Sequence, residues 1–177
     1  MASSVPSDPH VVLVGMMGTG KTTVGEALAR RLSWPFFDSD RQVEEQTGRT
    51  VAEIWRTAGE PAFRAVESAV LSDALALPDP AVVAAAGGVV LDPDNRRRLR
   101  RQRLVVWLRA QPATLARRVA AASGHSHRPL LASDPVGVLA RLAAERAPLY
   151  EEVAGMVVDV DGLEPAQVVD RIARSVA

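Results

Sequence analysis

The sequence predicts an α/β fold, a five-stranded parallel sheet with helices on both faces, arranged around a phosphate-binding loop. Apolar runs of strand length alternate with segments whose apolar residues recur at helical spacing, the pattern of successive β–α units in a parallel sheet covered on both sides. One junction, Gly15-Met16-Met17-Gly18-Thr19-Gly20-Lys21-Thr22, fits Gly, four residues, Gly-Lys-Thr. It follows the apolar run Val11-Val12-Leu13-Val14 and opens a helical segment, which is the strand, loop and helix context that the pattern requires. At 177 residues and 47% hydrophobic content, the chain suits one domain, 1–177, with a real core.

Taken in order, Val24, Ala27, Leu28 and Leu32 mark the first helix, and Trp34-Pro35-Phe36-Phe37-Asp38-Ser39-Asp40 a short aromatic strand ending in two carboxylates. Residues 41–47 and 51–57 read as short helices broken at Gly48, and 61–77 as a longer one with Phe63, Val66, Val70 and Leu71 inward. Residues 81–86 form a buried strand stopped by Gly87-Gly88. Asp92-Pro93-Asp94 caps a basic helix reaching about Gln102, and 104–108 is the next strand. Gln111-Pro112 starts a helix to about Ala121, followed by a loop of small, polar and basic residues to Asp134. A helix over 136–153, a strand over 156–160 and a helix over 165–176 close the chain.

The totals exclude some functions. A formal charge of zero argues against a general nucleic-acid or membrane-surface binder. With no cysteine there are no disulfides and no thiol chemistry, which fits a reducing cytosol. The polar, proline-bearing leader 1–9 is expected to be flexible and to be neither signal nor anchor, and the longest apolar run, 81–91, is too short to span a bilayer. A soluble, cytoplasmic monomer is expected.

Backbone N–H groups converge on an anion only where side chains do not obstruct, and a helix N-terminus adds its positive end. Gly15, Gly18 and Gly20 supply the room, so Gly18, Thr19, Gly20, Lys21, Thr22 and Thr23 are expected around the phosphates of ATP. Lys21 would reach the β- and γ-phosphates, and the Thr22 hydroxyl would join the shell of a Mg2+ ion that keeps several waters. Of 21 Lys plus Arg residues only Lys21 is lysine, at the place where a compact ammonium suits the geometry. In a doubly covered parallel sheet ligands sit beyond the strands' carboxyl ends, so Asp38, Asp40, Gly87 and Gly88 should surround this loop. Asp38 is expected to act on magnesium through water, and Asp40 to accept a proton or hydrogen bond from the hydroxyl being phosphorylated. A helix N-cap at Asp40 is the alternative.

The stretches Gly48-Arg49-Thr50-Val51-Ala52-Glu53-Ile54-Trp55 and Gly59-Glu60-Pro61-Ala62-Phe63-Arg64-Ala65-Val66-Glu67 resemble the substrate-binding segment of shikimate kinases. The resemblance extends through the phosphate loop, Asp38-Ser39-Asp40, Gly87-Gly88, Arg128-Pro129-Leu130-Leu131 and Glu145-Arg146-Ala147-Pro148-Leu149-Tyr150. It implies a P-loop kinase with a helical substrate-binding segment at about 40–70 and a mobile lid at about 120–134. It also implies that Asp40, Arg64, Gly87, Gly88 and Arg146 hold shikimate, that Arg128 comes from the lid onto the ATP phosphates, and that residues 159–165 border the adenine. Either Arg117 or Arg118 is the arginine near adenine. Planar guanidinium forks such as Arg64 and Arg146 independently match a carboxylate. Alternatives are a surface place on an amphipathic helix for Arg64, an ion pair with Glu145 or Glu151 for Arg146, and loop solvation for Arg128.

Several positions depart from the family pattern. Ala86-Gly87-Gly88 stands where three glycines are usual, Ala84 where a hydroxyl is frequent, Val160 where the adenine side has a threonine, and Leu163 at a place that can be basic. His10, His125 and His127 lack ligand partners at metal spacing and read as loop or surface residues. The run Arg96-Arg97-Arg98-Leu99-Arg100-Arg101-Gln102-Arg103 reads as a solvated helix face. The leading expectation is an ATP:shikimate 3-phosphotransferase. A gluconate or nucleotide kinase is the rival within the class, and a nucleotide-dependent switch the rival outside it. An Asn-Lys-x-Asp guanine motif is impossible, since the one lysine is Lys21 and the one asparagine Asn95.

Overall fold

A computed structural model of the chain describes residues 8–122 and 134–176. Five strands, β1 (Asp8–Val14), β2 (Phe36–Asp38), β3 (Val82–Ala84), β4 (Gln102–Arg109) and β5 (Met156–Asp159), form one sheet in the order β2-β3-β1-β4-β5. Every pairing is parallel. The helices are α1 (Lys21–Leu32), α2 (Ser39–Thr47), α3 (Val51–Leu75), α4 (Pro93–Leu99), α5 (Pro112–Ala122), α6 (Pro135–Val153) and α7 (Pro165–Val176). No helix among the described residues is long and apolar enough to cross a membrane.

The central strand β1 shows why both faces must be covered. Val11 and Leu13 pack with Leu28 of α1 and with Val168 and Ile172 of α7, whereas Val12 and Val14 pack with Leu71 of α3, Leu115 of α5 and Leu139 of α6. Alternate residues of a strand point to opposite faces, and here both faces are apolar. A third cluster, Val43, Ile54, Phe63 and Val70, gives α2 and α3 a core of their own.

The structure differs from the sequence expectations at several boundaries. β1 starts at Asp8, taking Asp8 and Pro9 from the expected leader and adding His10, with a bulge between Asp8 and Val11. A bulge accommodates a proline that cannot donate to the ladder. His10 is therefore fully buried, neither loop nor surface. Asp38, and not Asp40, caps α2, accepting from the backbone N–H of Asp40 and Arg41; Asp40 lands in the helix's first turn. Gly48 ends α2 in the left-handed region, as expected of a breaker. The two helices expected over 51–57 and 61–77 are both present within α3, separated by the non-helical Gly59 (φ 83°, ψ 173°) two residues before Pro61. α4 stops at Leu99, because Gln102 pairs with Asp8 and opens β4. A short 3-10 turn, Val89–Leu91, follows Gly88.

The end of β1 fixes the loop beyond it. Gly15 has φ 142°, and a Cβ there would run into the backbone carbonyl oxygen of Leu108, where β4 ends. Gly15→Ala should therefore cost about 1–3 kcal/mol, the order of a strained backbone conformation. Urea unfolding followed by circular dichroism measures it. A loss within about 0.5 kcal/mol, the range of neutral surface changes, would mean that the loop is not wedged between the two strands.

Candidate active site

Beyond β1, Gly18 and Gly20 take positive φ values of 83° and 91°. Thr19 Oγ1 donates to the Met16 carbonyl at 2.9 Å, and Lys21 Nζ donates to the carbonyls of Gly15 (2.8 Å) and Met16 (2.9 Å). The lysine thus lies along the loop. α1 begins at Lys21 with Gly20 as its N-cap and no side-chain cap, which leaves its first N–H groups for an anion. Thr22 Oγ1 donates to Asp38 Oδ2 at 2.5 Å. A hydroxyl and a carboxylate brought together at the helix start are the hard oxygen donors that magnesium prefers.

A cleft of about 320 Å³ opens on one side of the loop, lined by Thr19, Gly20, Thr23, Arg118, Val160 and Leu163 among others. Arg118 donates to the carbonyls of Gly18 (3.3 Å), Thr19 (3.5 Å) and Val160 (3.4 Å). Arg117, one residue earlier on α5, is exposed and does not line this cleft. Helix phase separates the two arginines. Asp161 accepts from the Gln111 backbone N–H and ties the chain after β5 to the start of α5.

On the other side, β3 ends next to β1, and its continuation Gly87-Gly88 lies against two arginines. A Cβ on Gly87 would stand 3.3 Å from the Gly15 carbonyl oxygen, 3.5 Å from Arg146 Nη1 and 3.6 Å from Tyr150 Oη. At Gly88 it would overlap the Arg64 guanidinium. At Gly88 only a glycine lets the guanidinium approach this closely. Arg64 stacks near the Trp55 and Phe63 rings (5.7 and 5.3 Å), and its Nη1 donates to both Glu67 oxygens at 2.9 Å. Arg64 is part-exposed and also meets Glu60 at 3.3 Å, whereas Arg146 is 5% exposed and makes no salt bridge with Glu145 or Glu151 among the described residues.

Glu67, 2% exposed, sits at the middle of this cluster. Burial pushes its carboxyl above the usual range; the Arg64 charge and hydrogen bonds oppose that shift, Asp40 adds to it, and Arg146 again opposes it. Asp40 itself is exposed, at the start of α2. Tyr150 Oη donates to the Gly87 carbonyl at 2.6 Å and lies 3.8 Å from Met16 Sδ.

The structure thus brings together Gly18, Thr19, Gly20, Lys21, Thr22, Thr23 and Arg118 on one side, and Arg64, Gly87, Gly88 and Arg146 on the other, with Asp38 tied to Thr22 and the Asp40 charge acting on Glu67. Arg128, most of the expected lid, His125 and His127 lie outside the described residues. Sequence reasoning did not single out Glu67 or Tyr150. Their signal was spacing, Arg64 with Glu67 at i,i+3 and Arg146 with Tyr150 at i,i+4, each on one helix face. Much of the arginine run is engaged in local pairs. Arg96 and Arg100 meet Glu152, Arg97 meets Asp94, and Arg103 donates to the Val176 carbonyl.

A parallel α/β sheet whose central strand runs into a phosphate loop, with a second cleft across from it, defines a P-loop kinase. The sequence profile described as shikimate kinase matches residues 17–177. A shikimate kinase of Symbiobacterium thermophilum is 48% identical over 153 residues, covering 86% of this chain and 87% of that protein; one of Dechloromonas aromatica is 43% identical over 93% and 88%. The solved structure "Shikimate kinase from Acinetobacter baumannii in complex with shikimate" superposes with a TM-score of 0.88 at 33% identity, over 97% of this chain and 94% of that one. A gluconokinase from Sinorhizobium meliloti, at 22% identity and a TM-score of 0.56, shares the fold. The chain belongs to the shikimate kinase family.

Tyr150 is the chain's one tyrosine, so its ionisation can be followed alone. Burial pushes its hydroxyl up to about 12, against a weaker opposing pull from Arg146. Folded protein titrated with base should show no phenolate absorbance near the unperturbed value of about 10, and a midpoint close to 12 for as long as the far-ultraviolet signal persists. Phenolate appearing near pH 10 with the fold intact would show that the hydroxyl reaches water.

Proposed function

We propose that this chain transfers the γ-phosphoryl group of ATP to the 3-hydroxyl of shikimate, in the pathway to chorismate and the aromatic amino acids. The observation that carries the reading is Gly87, whose Cα side faces the phosphate loop at Gly15 and the Arg146 guanidinium at once. An acid held by Arg146 and Arg64 would lie directly across from a nucleotide held by the loop. Phosphoryl transfer depends mostly on such positioning and on charge stabilisation.

In this reading Lys21 leaves the Gly15 and Met16 carbonyls for the β- and γ-phosphates, and Gly18 to Thr23 cradle the anion. Thr22 and Asp38 hold a magnesium ion, which neutralises phosphate charge. Arg118 lies beside the adenine, on the side lined by Val160 and Leu163. Arg64 and Arg146 take the shikimate carboxylate, and Gly87 and Gly88 leave room for its ring. Asp40 orients and deprotonates the accepting hydroxyl, a role suited to an exposed carboxylate at the start of α2. Arg128 reaches the phosphates from a lid over residues 120–134, as the family resemblance suggests; lid closure excludes water as a competing acceptor.

Asp40→Asn keeps size and hydrogen bonding while removing basicity. A general base contributes about 10²- to 10⁴-fold, so kcat should fall by at least about 10²-fold with ATP binding nearly unchanged. Steady-state kinetics and nucleotide titration check this. A change confined to KM would make Asp40 a binding group alone, and an unchanged rate would remove it from the site.

A further inference from the structure

The cleft beside the phosphate loop has one wall made by the chain between β5 and α7, where Val160, Leu163, Glu164 and Pro165 are lining residues. On this wall every backbone donor is already used. The Val160 N–H donates to the Arg109 carbonyl at 2.9 Å, the Leu163 N–H to the Val160 carbonyl at 3.3 Å and the Glu164 N–H to Gln167 Oε1 at 2.9 Å. Pro165 has no N–H. Two acceptors are engaged as well, since the Val160 carbonyl also receives Arg118 at 3.4 Å and the Glu164 carbonyl receives the N–H groups of Gln167 and Val168.

Distinguishing adenine from guanine takes hydrogen-bonding groups set against the base edge, because adenine carries an amino donor where guanine carries the O6 acceptor. The described lining offers other chemistry. Val24, Val160, Leu163 and Val168 are apolar. Thr19 Oγ1 is spent on the Met16 carbonyl. Arg118 is held in its guanidinium plane by the carbonyls of Gly18, Thr19 and Val160, and its face is free in chemistry to stack on any base. The exposed Glu164 carboxylate only accepts, and each purine has an amino group to give it, N6 of adenine or N2 of guanine.

We infer that this cleft accepts purine nucleoside triphosphates with little regard to the base, so that GTP and ITP serve as phosphoryl donors beside ATP. The inference rests on the reading of the loop as a nucleoside triphosphate site. In the transfer, the bond from the γ-phosphorus to its bridging oxygen breaks, the accepting hydroxyl oxygen bonds to that phosphorus and gives its proton to Asp40, and GDP or IDP leaves in place of ADP. Apolar contact and stacking discriminate by about 10²-fold at most, whereas a site built to hydrogen-bond its ligand reaches about 10⁴-fold.

With magnesium and saturating shikimate, kcat/KM for GTP and for ITP should fall within about tenfold of the value for ATP, and a larger preference for ATP would overturn the inference. Leu163→Ala removes an apolar contact alone, so it should lower kcat/KM for ATP and GTP by the same factor to within about twofold. Unequal losses would mean that this wall reads the base. Calorimetric titration of the purified protein with ADP and with GDP, without acceptor, separates the inference from the reading beneath it. Comparable affinities with no transfer to shikimate from any nucleotide would leave the base inference standing and remove the proposed function. ADP bound more than about tenfold more tightly than GDP would overturn the inference, whatever the acceptor.

Discussion

The site exists because β1 is buried on both faces and hydrogen-bonded on both edges. Val11, Val12, Leu13 and Val14 are all fully buried, with β3 on one edge and β4 on the other. A strand so held cannot shift its end. Its last carbonyl direction delivers Gly15 into a space bounded by the end of β4, and its neighbour β3 delivers Gly87 to the same level. Parallel strands place their outgoing loops at one edge of the sheet. The phosphate loop and the glycine pair therefore meet as a consequence of topology, before any side chain is considered.

Charge explains what the second cleft suits. Arg64, Glu67 and Arg146 are withdrawn from water together, and burying an unpaired charge is costly. Arg64 is neutralised by Glu67 at 2.9 Å, supported from the other side by Trp55 and Phe63. Arg146 has a phenol and a distant carboxylate field for company. Arg64 also meets Glu60 at 3.3 Å, so of the two arginines it is Arg146 that makes no salt bridge among the described residues and that a ligand carboxylate would complement.

Much of this was legible in the sequence because it is local. The phosphate loop is a contiguous pattern, and the strands announce themselves as apolar runs. Arg64 and Arg146 were visible as guanidiniums in segments resembling a known family. What stayed hidden depends on phase and partner. Arg117 and Arg118 differ by one helical step, about 100° of rotation, which decides which of them faces the loop. Glu67 reads as a surface charge until its helix is packed, and Tyr150 as core aromatic until its hydroxyl meets Gly87. Asp38 rather than Asp40 caps α2 because β2 ends at Asp38, two residues before the end of the expected strand, and α2 starts at Ser39. Pro9 and His10 join β1 through a bulge that composition does not announce.

The nucleotide loop and the arginine cluster are proposed to serve one transfer, to a small cyclic acid. The most direct measurement is coupled ADP release by the purified protein with ATP and magnesium, offered shikimate, quinate, gluconate and nucleoside monophosphates in parallel. Shikimate should give the largest kcat/KM, with 3-phosphoshikimate as product by ³¹P NMR. Turnover of gluconate or of a nucleoside monophosphate in preference to shikimate would contradict it.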